Sequence, residues 1–137
     1  MTTKLVIDTN VALDLLVFAD PTTEALREAL LAEKAIWLAS TGMRDELARV
    51  LDYPKVAPRV AARGLDVEAV LAEFDRLTCI VAPAPTAPCR CADADDQPFI
   101  DLAVQHGALL LSKDAAVLSL RRPMQSLGAK TSSTWTG

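Results

Sequence analysis

The chain has 137 residues, 51% of them apolar, and sets 18 acids against 14 lysines and arginines for a net charge of −4. That length suits a single domain, residues 1–137, with a continuous apolar core. No stretch approaches the roughly 18 uninterrupted apolar residues of a membrane span, Asp8 arrives too early for a signal-peptide core, and the acidic balance argues against a protein that coats nucleic acid with a basic surface.

A soluble, cytoplasmic protein with no membrane partner is expected. Lys4 to Asp8 is a short apolar run rich in β-branched residues that breaks off in Asp8-Thr9-Asn10, the pattern of a buried parallel strand and its exit. Val11 to Phe18 has the composition of a buried helix. Asp20-Pro21 reads as a helix N-cap with proline at the first helical position, opening a helix over Thr22 to Lys34. Ile36 to Ala39 is a second strand. Thr41 to Leu51 is a helix whose Met43, Leu47, Val50 and Leu51 share one face, and Tyr53-Pro54 ends it.

A further helix over Val67 to Leu77 leads into a strand over Thr78 to Ala82 and the proline-rich loop Pro83 to Pro88. Asp96 to His106 reads as a helix, Ala108 to Ser112 as a strand, and Gly128 to Trp135 as a final extended segment. Strands alternating with helices imply right-handed βαβ units and a parallel sheet sandwiched by helices.

Cys79, Cys89 and Cys91 are an odd set with neither the paired spacing of a disulfide framework nor the four ligands of a structural zinc site, and read as reduced thiols. His106 precedes Gly107 and reads as a helix C-terminal residue.

Ligands of an open parallel sheet bind beyond the carboxyl ends of its strands. Asp8 ends one strand and Asp114 follows another; each alone is equally a helix N-cap or turn former, but two at one edge invite a joint role. On the Thr41–Leu51 helix Glu46 lies about 85° from the centre of the apolar face, bordering the core, whereas Asp45 lies nearly opposite that centre. Asp93, Asp95 and Asp96 crowd the approach to a helix N-terminus. One of them caps it, and Asp93 and Asp95 also suit a solvated acidic loop. Asp101 is either a rim residue or an accessory ligand.

Hard oxygen donors without a convergent His/Cys set favour Mg²⁺ or Mn²⁺ over zinc, and such ions activate water against a phosphodiester. Two such ions would also cancel the formal charge. Thr9, Asn10 and Ser112 are positioned to orient the carboxylates, and Lys113 or Arg44 to meet a phosphate.

In this order the residues resemble the PIN domain family. Val6-Ile7-Asp8-Thr9-Asn10 is similar to its first strand and leading acid, and Glu46-Leu47 with Val50-Leu51-Asp52-Tyr53-Pro54-Lys55 to its second acidic helix. Asp95-Asp96-Gln97-Pro98-Phe99-Ile100-Asp101-Leu102-Ala103 and Leu110-Leu111-Ser112-Lys113-Asp114 are similar to its third and fourth acidic stations. Each motif is short, and the signal lies in four of them in order. Leu-Asp-Tyr-Pro-Lys most resembles the branch of type II toxin-antitoxin toxins. The resemblance implies a three-layer α/β/α sandwich with a central parallel sheet, and metal-dependent endoribonuclease cleavage of RNA with Asp8, Glu46, Asp96 and Asp114 as catalytic and metal-binding acids. It also implies a homodimer and a small antitoxin protein as partner. Two positions depart from the pattern: Lys113 stands where glycine is common, and Ala115-Ala116 replaces a more polar pair.

Two other readings compete. A phosphatase or phosphotransfer domain on a similar sheet would also place Asp8 after the first strand, but the phosphatase wants a second Asp where Asn10 stands. A non-catalytic RNA-binding or scaffold domain would retain the fold and neither need Mg²⁺ nor cut RNA.

Overall fold

The structure is a computed structural model and describes residues 2–136. Five strands, β1 (Thr3–Ile7), β2 (Ala35–Ala39), β3 (Thr78–Ile80), β4 (Leu109–Leu111) and β5 (Lys130–Ser132), form one sheet in the order β3-β2-β1-β4-β5. Every neighbouring pair is parallel. The helices between them are α1 (Thr9–Leu16), α2 (Glu24–Leu31), α3 (Thr41–Leu51), α4 (Ala57–Ala62), α5 (Val67–Leu77), α6 (Gln97–His106), α7 (Ala115–Leu118) and α8 (Arg121–Ser126). None of the described helices is long and apolar enough to cross a membrane.

Register explains why the strands read as unbroken apolar runs. Leu5 pairs with Trp37 and Leu109 on one face, Val6 with Leu110 on the other, and Leu5, Val6 and Leu110 are all fully buried. A sheet covered on both faces has no side free for polar residues. The crossovers step from β1 through β2 to β3 and then back across β1 to β4 and β5, so right-handed connections put α6 on the face opposite the first helices. On the first face α1, α3 and α5 pack against one another. There the Phe74 ring of α5 meets Trp37 edge-on at 5.1 Å, a favourable aromatic geometry. The helix α6 lies over β1 and β4.

Local capping sets the helix bounds. The spans expected for α3 and α5 match the structure, with Ser40 accepting from the Met43 N–H at 3.4 Å and Asp66 from the Ala69 N–H at 2.8 Å. The segment read as one helix over Thr22 to Lys34 opens instead as a 3₁₀ turn, Pro21–Thr23, capped by Asp20, and α2 stops at Leu31. Its end is closed by Glu33 in the left-handed region (φ 59), where no glycine signals the stop. The helices α4, α7 and α8, of six residues or fewer, are too short to show a period and were not expected. β3 ends at Ile80 rather than Ala82, and β5 takes three residues of the Gly128–Trp135 segment. Gly107, left-handed at φ 60, closes α6 after His106.

One polar cluster fixes the loop that delivers the third group of acids. Gln97 and Asp101, one turn apart on α6 and both buried, hold the preceding loop. Gln97 Nε2 donates to the Cys89 carbonyl at 3.0 Å and to Asp101 Oδ1 at 2.8 Å, while the Cys91 N–H donates to Gln97 Oε1 at 2.6 Å. Asp101 Oδ1 also accepts from the Ala87 N–H at 2.8 Å. Asp101→Ala strands these donors out of water and should cost about 2 kcal/mol, seen as a lower urea midpoint at constant m. An unchanged midpoint would show that the loop is held by other contacts.

Candidate active site

The sheet reverses its direction of growth between β1 and β4, and their carboxyl ends open the crevice where ligands of such sheets bind. Asp8 follows β1 and is 4% exposed. Its Oδ1 accepts from the Val11 N–H at 3.0 Å, capping α1, and its Oδ2 accepts from Ser112 Oγ. Ser112, fully buried after β4, also accepts from the Asp114 N–H at 3.1 Å, so one hydroxyl ties both strand ends together. Asp114 caps α7 through the Ala116 N–H at 2.8 Å. Both acids therefore do fill the capping role considered for them, and still face the crevice.

Asp93 and Asp96 come from the loop that Gln97 and Asp101 anchor. They flank a 3₁₀ turn, Ala94–Asp96, begun by Asp93 Oδ1 accepting from the Asp95 N–H at 3.0 Å. With three residues per turn, side chains three apart eclipse, so Asp93 and Asp96 point the same way. With Asp114 they present three carboxylate oxygens within 4.8 Å of one another. In the sequence Asp93 suits either a helix cap or a solvated acidic loop; a 3₁₀ turn at the Asp-x-x-Asp spacing is what pairs it with Asp96.

Glu46 reaches the site from α3. It is partly buried while Asp45 is exposed, in agreement with the helical phase, and it accepts from Thr9 Oγ1 at 2.8 Å. Asp8, Thr9, Asn10, Glu46, Asp93, Asp95, Asp96 and Asp114 line one cleft of about 650 Å³, so all four acids singled out in the sequence meet there. Asp8 and Glu46 stand beside the tight trio rather than within it. Asn10 is exposed at the rim.

Three residues considered for the site are engaged elsewhere. Arg44 grips Asp75 with two hydrogen bonds, at 2.7 and 2.9 Å, and Lys113 pairs with Asp14. Neither lines the cleft. Asp101 is buried, turned into the loop anchor described above, and does not line the cleft.

Burial, and after it the Asp114 carboxylate alongside, push the Asp96 carboxyl up to about 7, with Asp93 and Asp8 adding to the effect. Burial likewise raises Asp8, against the opposing hydrogen bond from Ser112. Asp96 Oδ2 is buried and has no hydrogen-bond partner among the described residues. An orphaned carboxylate oxygen among like charges is costly unless a cation fills the gap. The all-oxygen donor set fits a hard divalent ion such as Mg²⁺ or Mn²⁺.

In EDTA the folded protein keeps the Asp96 proton that the unfolded chain releases near pH 3.8. The stability from that proton is full below about pH 4 and is lost as pH rises through about 7. Relative to Asp96→Asn, wild type should lose about 1–2 kcal/mol between these limits, the full shift being reduced by solvent screening. Mn²⁺ should reverse the ranking at pH 7, adding about 2.7 kcal/mol to wild type at a hundredfold excess over Kd and far less to the variant. Parallel melts across pH, with and without Mn²⁺, measure both effects; identical curves for the two proteins would make Asp96 a plain surface charge.

No curated protein gives a significant match to the chain. The family model for the PIN domain matches residues 4–116, a span that runs from β1 into α7 and contains Asp8, Glu46, Asp93, Asp96 and Asp114. Over that span, in fold as in the order of its acids, the chain belongs to the PIN domain family, whose members are generally nucleases.

Proposed function

We propose that the protein is a metal-dependent endoribonuclease and the toxin of a toxin-antitoxin pair. The observation that carries the nuclease reading is the convergence of five carboxylates from four separate chain segments on one cleft, with a buried Asp96 oxygen lacking any partner among the described residues. Asp8, Glu46, Asp93, Asp96 and Asp114 would hold Mg²⁺ or Mn²⁺, which supplies a nucleophilic water at neutral pH and stabilises charge on the leaving oxygen.

The chain's own residues set the geometry. Ser112 orients Asp8 through its hydroxyl and fixes the Asp114 backbone, and Thr9 orients Glu46. Such supporting hydrogen bonds are commonly worth 10–100-fold in metal affinity or activity. Among the described residues no Ser, Cys or His lines the cleft and the Thr9 hydroxyl is committed to Glu46, so none of these is placed as a nucleophile and the reading rests on an activated water. The toxin role rests on the Leu51-Asp52-Tyr53-Pro54-Lys55 resemblance. It brings with it a small antitoxin partner and a homodimer. A cytoplasmic site of action belongs to the same proposal, and none of the described helices is long and apolar enough to cross a membrane.

Purified protein with Mg²⁺ or Mn²⁺ should cut single-stranded RNA, and EDTA should abolish cutting. Cleavage that survives exhaustive chelation and Asp8→Asn would rule the mechanism out. Glu46→Gln should reduce the rate about 100-fold or more, whereas Asp45→Asn, on the exposed side of α3, should stay within about threefold. Equal losses in two folded variants would contradict the placement of Glu46. Copurification of the product of a small neighbouring reading frame would support the toxin role, and a solitary gene would count against it.

A further inference from the structure

The cleft has a second wall that the chemistry above leaves unused. Opposed to six acids, Leu13, Val50, Tyr53, Pro54 and Val56 present apolar surface, and Lys55 is the one cation among the lining residues. Glu46 and Val50 lie one turn apart on α3 and Tyr53 follows in the turn after it, and all three line the cleft, so one segment carries a carboxylate and the apolar wall.

Tyr53 is 52% exposed, and its hydroxyl makes no hydrogen bond among the described residues. Its backbone is nonetheless fixed, since its carbonyl accepts from the Val56 and Ala57 N–H groups, both at 2.9 Å. A rigid backbone holding an exposed ring beside a cleft wall has the features of a stacking platform. Lys55 forms no ion pair among the described residues, in contrast to Arg44 and Lys113. An apolar protein segment would match the hydrophobic side chains but leave Lys55 without a counter-charge. A nucleotide supplies a flat π-face for Tyr53 and a phosphate for Lys55 while its neighbouring phosphate meets the acid wall.

We propose that Tyr53 is the stacking platform for an unpaired base next to the scissile phosphate, and that Lys55 holds an adjacent phosphate. This rests on the nuclease reading, and makes both of them positioning residues that select an unstacked nucleotide.

Binding and cutting are therefore measured separately on one labelled single-stranded RNA. Anisotropy in Ca²⁺ reads affinity, and Mn²⁺ reads kcat and KM. Tyr53→Ala should weaken binding about tenfold or more, with KM raised more than kcat is lowered, while Tyr53→Phe and Tyr53→Trp stay near wild type. Single abasic substitutions walked along the RNA should find one position that costs wild type the same factor and costs Tyr53→Ala nothing further. Lys55→Ala should lower the slope of log K against log salt by about 0.7, the value for one phosphate of a single strand.

Wild-type affinity in Tyr53→Ala, or equal abasic losses in both proteins, would overturn the platform and leave the nuclease standing. Tyr53-dependent binding by a wild type that cuts nothing would keep the platform and remove the nuclease. A wild type that neither binds nor cuts overturns both. Loss of a copurifying small protein in Tyr53→Ala, with RNA affinity unchanged, would give the wall to a protein partner instead.

Discussion

The hydrogen bond from Ser112 to Asp8 joins the two strand ends between which the sheet reverses direction. Much of the candidate site depends on it. It spans 104 residues of sequence, it is wholly buried, and the same hydroxyl accepts from the Asp114 N–H, so a shift of β4 against β1 would displace two acids at once. A parallel pair places both carboxyl ends at the same edge, which is why two acids distant in the chain become neighbours without any loop spanning the gap.

These acids serve two masters. Asp8 and Asp114 each give one oxygen to a helix N-terminus, whose partial positive charge offsets part of the cost of holding carboxylates close together. Asp96 has no such side-chain cap bond, and it is the carboxyl most strongly raised. For Asp8 the capping and Ser112 hydrogen bonds offset only part of the cost of burial, and for Asp96, with no backbone donor, less of it is offset, the condition expected of groups kept for binding.

How much was legible in the sequence follows from the range of each interaction. The bounds of α3 and α5 were plain because Ser40 and Asp66 cap them locally and their apolar residues repeat over three turns. The burial of Glu46 against the exposure of Asp45 followed from phase alone. Asp93 was passed over because its orientation depends on a single 3₁₀ turn, shorter than any period. Arg44 and Lys113 read as candidates to meet a phosphate because their partners Asp75 and Asp14 lie 31 and 99 residues away, pairings that no local pattern encodes. Asp101 fell between these cases: its burial on α6 is periodic, but its bond to the Ala87 N–H is a property of how the proline-rich loop folds back.

The charge of the chain now has a physical reading. With a net charge of −4 and one cation on the cleft wall, long-range attraction cannot supply much of the affinity for a polyanion. The cleft itself would repel phosphate while its carboxylates are bare, since like charges a few ångströms apart in a partly desolvated site interact strongly. On the proposed nuclease reading, divalent cations bound there would invert the sign of the local field, so that phosphate attraction would arise only where the bond is to be cut. On the same reading, the proposed stacking on the apolar wall would add affinity without adding charge, and the rest of the acidic surface would keep nucleic acid from adhering away from the cleft.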